Sequence, residues 1–555
     1  MATALIATRS WSRFRKETDE MQRIVSLTDT RAQEFRTNDA HNRRLVAELK
    51  ERQQAARFAR PERDLERLRR QNKMFVRDRI EALLDPGTPF LELSTLAGNK
   101  AYENEVPGAA QVVGIGIVSG REVIVHADDA SVKGGAWYPL SVKKIVRALD
   151  VAIENRLPVV HLCDSAGGFL PLQAEFFADR YYAGRIFRNQ SILSKMGVPQ
   201  VAVVMGHCTA GGAYVPALSD YNIIVQGTGA IFLGGPPLVK AATGEEVSVE
   251  ELGGADMHTS VSGTGDYFAS SEMHALAIAR DIVARFNRVP KAVVDHVAPE
   301  PPAYDPSELY GIIPKDPRVQ FDMREIIARL VDGSRFHEYQ PRYGQTLVCG
   351  FARLHGYQIG ILANNGVLFS DSALKGAHFI QLCDKNRTPL LFLQNITGFM
   401  VGRDYERRGI TKDGAKLIMA VAGAAVPKFT VVCNGSYGAG TYGMSGRAFD
   451  PRFMFTWPQS QISVMGAEQA AGVLTDIKAK QLARNGERLS EPQLAAIREP
   501  ILEDYRERSS AYYATSELWD DGILDPVDTR NALAIALSAA LNAPIEAPHY
   551  GVFRM

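Results

Sequence analysis

Two stretches of this sequence are variants of one another. Val201–Ala217 reads VAVVMGHCTAGGAYVPA, and Phe429–Met444 reads FTVVCNGSYGAGTYGM. In each, an apolar run suited to a strand buried on both faces leads into a turn of small residues and then an aromatic. A shift of 228 places Gly206 on Asn434, Gly211 on Ala439, Gly212 on Gly440 and Tyr214 on Tyr442. Upstream, Asn155–Leu162 (NRLPVVHL) matches Asn386–Leu393 (NRTPLLFL) at a shift of 231, and Asp164-Ser165-Ala166-Gly167 falls on Asn395-Ile396-Thr397-Gly398. Further back, Gly114, Gly120 and Ala127-Asp128-Asp129 answer Gly350, Gly356 and Ala363-Asn364-Asn365 at a shift of 236. So small a drift across about 100 positions marks a duplicated domain, not a short-period solenoid.

The turns themselves carry a chemical reading. Small residues let a ligand approach the backbone. If a helix starts near Gly212, its first amides have no intrahelical partner and can stabilise an oxyanion as it forms. Steric packing of a tight turn would give the same composition. Two copies of such a turn suggest a site with two oxyanions to hold.

The 555 residues suggest two to four domains, and a formal net charge of zero predicts no wholesale attraction to nucleic acid or to a membrane surface. No apolar run is long enough to span a bilayer. The first residues, MATALIATRSWSRFRK, have the arginines of a transit peptide, but Asp19 and Glu20 follow closely. A cytoplasmic protein is expected, with the mitochondrial matrix as the alternative. The five cysteines include no CxxC pair, so neither a zinc ribbon nor a disulfide framework is expected, and no metal site.

Residues 1–80 hold 20 basic against 12 acidic side chains. Val25–Phe58 reads as surface helices, either simply solvated or with some arginines meeting an acidic ligand or a partner. Gln111–Val118 and Glu122–His126 read as strands, Ser141–Arg156 as a helix and Pro158–Cys163 as the next strand, an α/β pattern. Gly168–Ser194 is rich in aromatics and suited to cover an opening. Ile231–Gly244 is another turn leading into a helix, and Met273–Asn287 a helix closing the first half. Proline-rich Val289–Pro317 reads as a linker.

Several longer strings carry a family likeness: Lys133-Gly134-Gly135 with Tyr138–Lys144, Cys208–Pro216, Gly235–Gly254 (beginning GPPLVKAATGEEV), Gln394–Gly402 (QNITGFMVG), Lys412–Lys416, Gly435–Arg447 and Val464–Ala471. From about residue 75 to 525 the chain resembles the carboxyltransferase (β) subunits of biotin-dependent acyl-CoA carboxylases, above all those acting on 3-methylcrotonyl-CoA and geranyl-CoA. The resemblance implies two tandem crotonase-like ββα-superhelix domains. With the duplication it gives an N-terminal helical arm (1–70), an acyl-CoA-side domain (71–300) and a biotin-side domain (301–555). It also implies a homo-hexamer within an α6β6 holoenzyme, with the N-domain of one subunit facing the C-domain of another. Biotin would be carried on a separate α subunit, which also holds the biotin carboxylase. No Met-Lys-Met biotinylation motif and no P-loop occur in this sequence.

The family's chemistry passes through a thioester enolate and a biotin ureido anion. The resemblance assigns the Gly211 and Gly212 amides to the enolate and those of Ala439 and Gly440 to the biotin oxygen. It places Lys133, Gly134, Gly135, Ala166, Gly167, Ala183 and Gly184 along the acyl-CoA, and Thr397, Gly398, Phe399, Gly438 and Thr441 along the biotin. The cofactor is its own base, so His207 and Cys208 are expected to be packing residues. Three segments depart from the family pattern. Gln71-Asn72-Lys73-Met74-Phe75 stands where related subunits usually read RGKLL. Asp164–Phe176 replaces DSGGANLPRQDEVF with DSAGGFLPLQAEF, and Asp179–Phe187 replaces DREHFGRIF with DRYYAGRIF. In this family a bulky aromatic at the position of Ala183 goes with the short methylcrotonyl group, and a small residue with the longer geranyl group. Either Ala183 enlarges the acyl pocket, or Tyr181 or Tyr182 refills the space.

Overall fold

A computed structural model describes residues 23–287, 289–484 and 489–555. Among the described residues two sheets repeat the sequence duplication, the first with one strand, Tyr267–Ala269, that has no counterpart in the second. The first comprises β1 (Leu91–Leu93), β2 (Gln111–Val118), β3 (Arg121–Asp128), β4 (Val159–Ser165), β5 (Gln200–Thr209), β6 (Tyr221–Val225), β7 (Ala230–Phe232) and β8 (Tyr267–Ala269). They run in the order β1-β2-β3-β4-β5-β6-β8, with β7 paired to β5. The second sheet comprises β9 (Phe336–Tyr339), β10 (Leu347–Leu354), β11 (Tyr357–Asn364), β12 (Leu390–Ile396), β13 (Lys428–Tyr437), β14 (Phe453–Thr456) and β15 (Gln461–Ser463), ordered β14-β13-β12-β11-β10-β9 with β15 on β13. In each half an antiparallel hairpin feeds parallel strands, and the register slips at one place, Cys163/Ser165 in β4 and Gln394/Ile396 in β12. This is the expected pair of crotonase-like α/β domains.

The crossover helices follow the same logic. Pro139 opens the helix Pro139–Asn155 at a position where a missing N–H costs nothing, and Ile145, Leu149 and Ala152 form a buried stripe. Its counterpart is Ser370–Lys385. One apolar core joins the halves, from Leu149 and Val204 through Leu330, Phe453 and Trp457 to Leu537. A buried ion cluster ties them as well: Arg147 reaches Asp521 at 2.8 Å, and Arg447 reaches it at 3.1 Å. Burial pushes the Asp521 carboxyl up, but the two guanidiniums outweigh it and hold the group at about 2.

Two expectations are corrected. Residues 24–29 are not helical, and Ser26, Leu27 and Thr28 bond Glu325 of the second half. The helix Gln33–Phe58 is also no freely solvated element, because it buries Asn38, Asn42, Val46 and Leu49. The Asn42 amide donates to the carbonyls of Tyr310 and Ile313. The presumed linker is likewise tied down, with His296 bridging to Tyr357 and the Ala292 N–H bonding the Leu541 carbonyl. Pattern reading missed both because the partners of these segments lie far off in sequence, and their buried apolar residues, such as Leu49, Leu309 and Ile313, are too few to mark a core face.

Candidate active site

Strand β5 is longer than its apolar run. Beyond Met205 it outruns the layers covering the sheet, so Cys208 is buried while His207 is exposed. Ala210 then takes a left-handed φ of 53°, unusual for a residue with a Cβ, and so re-aims the chain into the turn Ala210–Ala213 and the short helix Tyr214–Ala217. Gly211 and Gly212 head that turn, where an N–H has no carbonyl one turn back. Steric need does not explain these two glycines. A Cβ on Gly212 would come no nearer than 3.9 Å to Ser165, and one on Gly211 would lie 3.7 Å from Phe187 Cζ.

Two loops wall the turn. The Ala166 N–H donates to the Gly134 carbonyl (3.1 Å), the Trp137 N–H to the Gly167 carbonyl (2.8 Å), and Ser165 Oγ to the Gly135 carbonyl (2.8 Å). Gly135, at φ 70°, must be glycine, because a Cβ would stand 2.2 Å from the Asp164 carbonyl oxygen. Lys133 is exposed and ion-paired with Glu105. Lys133–Gly135, Ala166–Gly167 and Gly211–Gly212 are therefore brought together. Ala183 and Gly184 open the helix Ala183–Lys195, which carries Phe187 one turn later. Phe187 meets Tyr214 edge-on at 5.6 Å, so Ala183 shares a helix face with a ring at the Gly211 turn.

The second half repeats this geometry. The Leu368 N–H donates to the Gly398 carbonyl and the Met400 N–H to the Leu368 carbonyl, as Trp137 and Phe169 do in the first half. Gly438 has the left-handed φ of Ala210, at 58°. Ala439 and Gly440 head the turn, Thr441 Oγ1 bonds Ser436 Oγ at 2.8 Å, and Phe399 packs beside Gly414 and Gly443. Thr397 and Ala439 are exposed, so Thr397–Phe399 and Gly438–Thr441 form one open cradle. The halves differ at Gly440, where a Cβ would stand 2.2 Å from Ile396 Cδ1. Packing alone requires that glycine.

A cavity of about 420 Å³ beside the first turn is lined by Gly134, Ala166, Thr209, His207, Lys73 and Arg67 among others. A larger one of about 850 Å³ shares Arg67 and Gln71 with it and adds Arg63, Arg70 and Lys133. Under the cavity floor Asp164 accepts Lys73 (2.8 Å) and Arg79 (3.1 Å), and Arg79 also holds Glu272 (2.5 Å). A Cβ on Gly206 would collide with the Asp164 carboxylate. The His207 ring lies edge-on to Phe232 at 5.5 Å, its pKa lowered by partial burial and by Lys73. The packing role expected for His207 is corrected to a cavity-lining one, whereas Cys208 is indeed core. All five cysteines are buried free thiols. Lys73, Arg79, Arg67 and Phe187 were missed as site residues. Lys73 and Phe187 lay in segments already notable for departing from the family pattern; Arg67 and Arg79 gave no local signal.

The carboxyl transferase domain model matches residues 67–551. The chain belongs to the carboxyl transferase family. It is 54% identical over 517 residues to the biotin-dependent 3-methylcrotonyl-coenzyme A carboxylase beta1 subunit of Mycobacterium tuberculosis, covering 93% of this chain and 98% of that one. It is 52% identical over 549 residues to a probable mitochondrial methylcrotonoyl-CoA carboxylase beta chain of Drosophila melanogaster, covering 96% and 95%. Its fold is similar to the crystal structure of the P. aeruginosa geranyl-CoA carboxylase beta subunit, with a TM-score of 0.85, 40% identity, and coverage of 96% of this chain and 99% of that one. This carboxyltransferase has, among its described residues, no helix long and apolar enough to cross a membrane.

Proposed function

We propose that this carboxyltransferase is the β subunit of a biotin-dependent acyl-CoA carboxylase acting on a branched α,β-unsaturated acyl-CoA such as 3-methylcrotonyl-CoA. The observation that carries the reading is the pair of equivalent turns, one amide cradle per half. Residues 71–300 form the acyl-CoA side and 301–555 the biotin side, with 1–70 as the arm, of which 1–22 lie outside the described residues. The Gly211 and Gly212 amides hold the thioester oxygen as negative charge builds on it, and a preformed donor pair needs no reorganisation at that moment. Lys133–Gly135 and Ala166–Gly167 hold the acyl-CoA chain along the wall. Carboxybiotin on a partner supplies the carboxyl group and, once that is released, the base for the α-proton. The Thr397–Phe399 and Gly438–Thr441 cradle suits its flat ring: a Cβ on Gly398 would meet nothing nearer than the Tyr437 carbonyl at 4.0 Å. The Ala439 and Gly440 amides would hold the ureido oxygen.

The working form is a hexamer of this chain with six α subunits, in the cytoplasm; the mitochondrial matrix is the alternative. Apolar side chains exposed around both turns support assembly, Leu170, Phe177, Tyr181 and Tyr214 near the first and Val401, Tyr442 and Val464 near the second. The test is ATP-dependent carboxylation of an acyl-CoA panel by the complex with its cognate α subunit. No carboxylation of any acyl-CoA by an assembled complex sinks the reading.

The large basic cavity suits the phosphates of CoA, since Arg63 and Arg70 are exposed on its rim. Arg63→Ala with Arg67→Ala should raise KM for acyl-CoA about tenfold, the loss of one or two charge-assisted bonds, with kcat changed little. An unchanged KM removes these arginines from the CoA seat.

Geranyl-CoA or another longer acyl-CoA is the second reading, favoured by Ala183 and by the open space at Gly184, where a Cβ would meet nothing within 4 Å. Ala183→Phe should overpack a long acyl tail at a cost of about 1–3 kcal/mol. The ratio of kcat/KM for geranyl-CoA over methylcrotonyl-CoA should then fall at least about fivefold. An unchanged ratio in an intact hexamer assigns the pocket length to Phe187, Tyr181 or Tyr182 instead.

A further inference from the structure

Behind the acyl-CoA wall a chain of fully buried polar side chains crosses β2, β3 and β4. Asp128, at the end of β3, is 2% exposed. Its Oδ1 accepts Trp137 Nε1 (3.1 Å) and Gln111 Nε2 (2.9 Å), and its Oδ2 accepts the backbone N–H of Asp164 (3.1 Å). These donors belong to both loops of the wall. Trp137 follows Lys133–Gly135 and bonds Gly167, and Asp164 precedes Ser165, whose Oγ bonds Gly135 and receives the Gly167 N–H. One carboxylate therefore joins the two loops from below.

The chain continues away from the site. Gln111 Oε1 bonds His126 Nε2 at 2.9 Å, and His126 Nδ1 bonds His161 Nδ1 at 2.9 Å. A carboxylate only accepts, so it fixes every orientation in the row. Gln111 must donate its amide to Asp128 and present its oxygen to His126. His126 must carry its proton on Nε2, leaving Nδ1 to accept from His161, whose own Nε2 is then a bare lone pair. That atom makes no hydrogen bond of good geometry, and Gln200 beside the ring has an unpaired Oε1, so with Asp128 ionised the row ends on two facing acceptors, cheaper orphans than a buried N–H. Both rings stay neutral, because burial lowers their pKa, for His126 to about 4.

We infer that Asp128 is a positioning residue for acyl-CoA binding, its carboxylate holding the Lys133–Trp137 and Asp164–Gly168 loops in their paired arrangement through a one-way hydrogen-bond row ending at His161. The inference rests on those loops being the acyl-CoA wall. Burial pushes Asp128 up to about 6, so it is a carboxylate at pH 8 and mostly a neutral acid at pH 5.5. A neutral acid carries its proton on the one lone-pair direction left free, on Oδ2, and then accepts from Trp137 Nε1, Gln111 Nε2 and the Asp164 N–H without the charge that strengthens those bonds. The charged groups around it are Asp164 with Lys73 and Arg79, Asp129 with Arg60, and Lys144, whose Nζ donates to the Gln111 carbonyl and which burial lowers to about 7, so that it too gains a proton over this range and only the Asp128→Asn profile separates the two.

The experiment follows KM and kcat for acyl-CoA in the holoenzyme from pH 8 to pH 5.5, with saturating ATP and bicarbonate. In the wild type, KM should rise about threefold by pH 5.5, along a curve with an apparent pKa near 6, while kcat changes less. Asp128→Asn, an isostere of the neutral acid, should show the raised KM already at pH 8 and no further rise on acidification. A wild-type KM that is flat with pH overturns the inference, and this needs no variant to fold. So does an Asp128→Asn enzyme with normal KM at pH 8, or one whose KM still climbs through pH 6. The Arg63/Arg67 double variant separates the premises. If it raises KM and Asp128→Asn does not, the wall stands and only the positioning role falls.

Discussion

Gly212→Val should abolish carboxyl transfer, by a factor of at least about 100, while the chain still folds and assembles. Losing one preorganised oxyanion donor costs roughly 3 kcal/mol of transition-state stabilisation, and a displaced turn removes two. The graded series makes the test specific. A Cβ at Gly212 stands 3.9 Å from Ser165, ordinary contact, so Gly212→Ala fits and should lose less than about tenfold. Valine adds two branches that must enter the ligand space or press on Ser165, which braces Gly135 and Gly167. Turnover and sedimentation of both variants decide it. Near-normal turnover by an assembled Gly212→Val enzyme removes this turn from the mechanism. Gly440→Val is not an equivalent probe, because its Cβ would collide with Ile396 and unsettle β12 whatever the turn does.

Arg79→Leu should be among the most destabilising single changes in the first half. The guanidinium is 1% exposed and is shared between Asp164 and Glu272, both nearly buried. Burial works against the cation, but the two carboxylates outweigh it and raise its pKa. Removing one partner from such a cluster costs about 3–5 kcal/mol, since it leaves buried charge uncompensated. Lys73 remains on Asp164 and the Met74 N–H on Glu272, which argues for the lower end of that range. A fall of several degrees in Tm is expected, together with weaker acyl-CoA binding, because Asp164 lies under the wall. Arg79→Lys keeps the charge but not the fork, and should lose less. An Arg79→Leu protein with unchanged Tm would mean the cluster is dispensable to the fold.

The sequence by itself determined the architecture. Its two halves align at shifts of 236, 231 and 228, and the matched strand pairs β2/β10, β3/β11, β4/β12 and β5/β13 fall in those same registers. Backbone geometry explains this legibility, because apolar strand runs and small-residue turns are local patterns that the fold repeats. The turns at Gly211 and Ala439, and the strings around Lys133 and Thr397, were visible for the same reason. Tertiary structure alone decided what surrounds them. Lys73, Arg79, Asp164 and Glu272 are separated by up to 199 positions, and only the packing of helices Val76–Leu83 and Glu272–Arg285 on the sheet joins them. His207 was read as a packing residue because the family's chemistry needs no protein base, yet β5 outruns its cover there and the ring is exposed. Asp128, Gln111, His126 and His161 lie on three different strands, and their single row exists only once strand register aligns them. Burial, not residue type, turned these ordinary polar residues into a network, and burial depends on contacts remote in sequence.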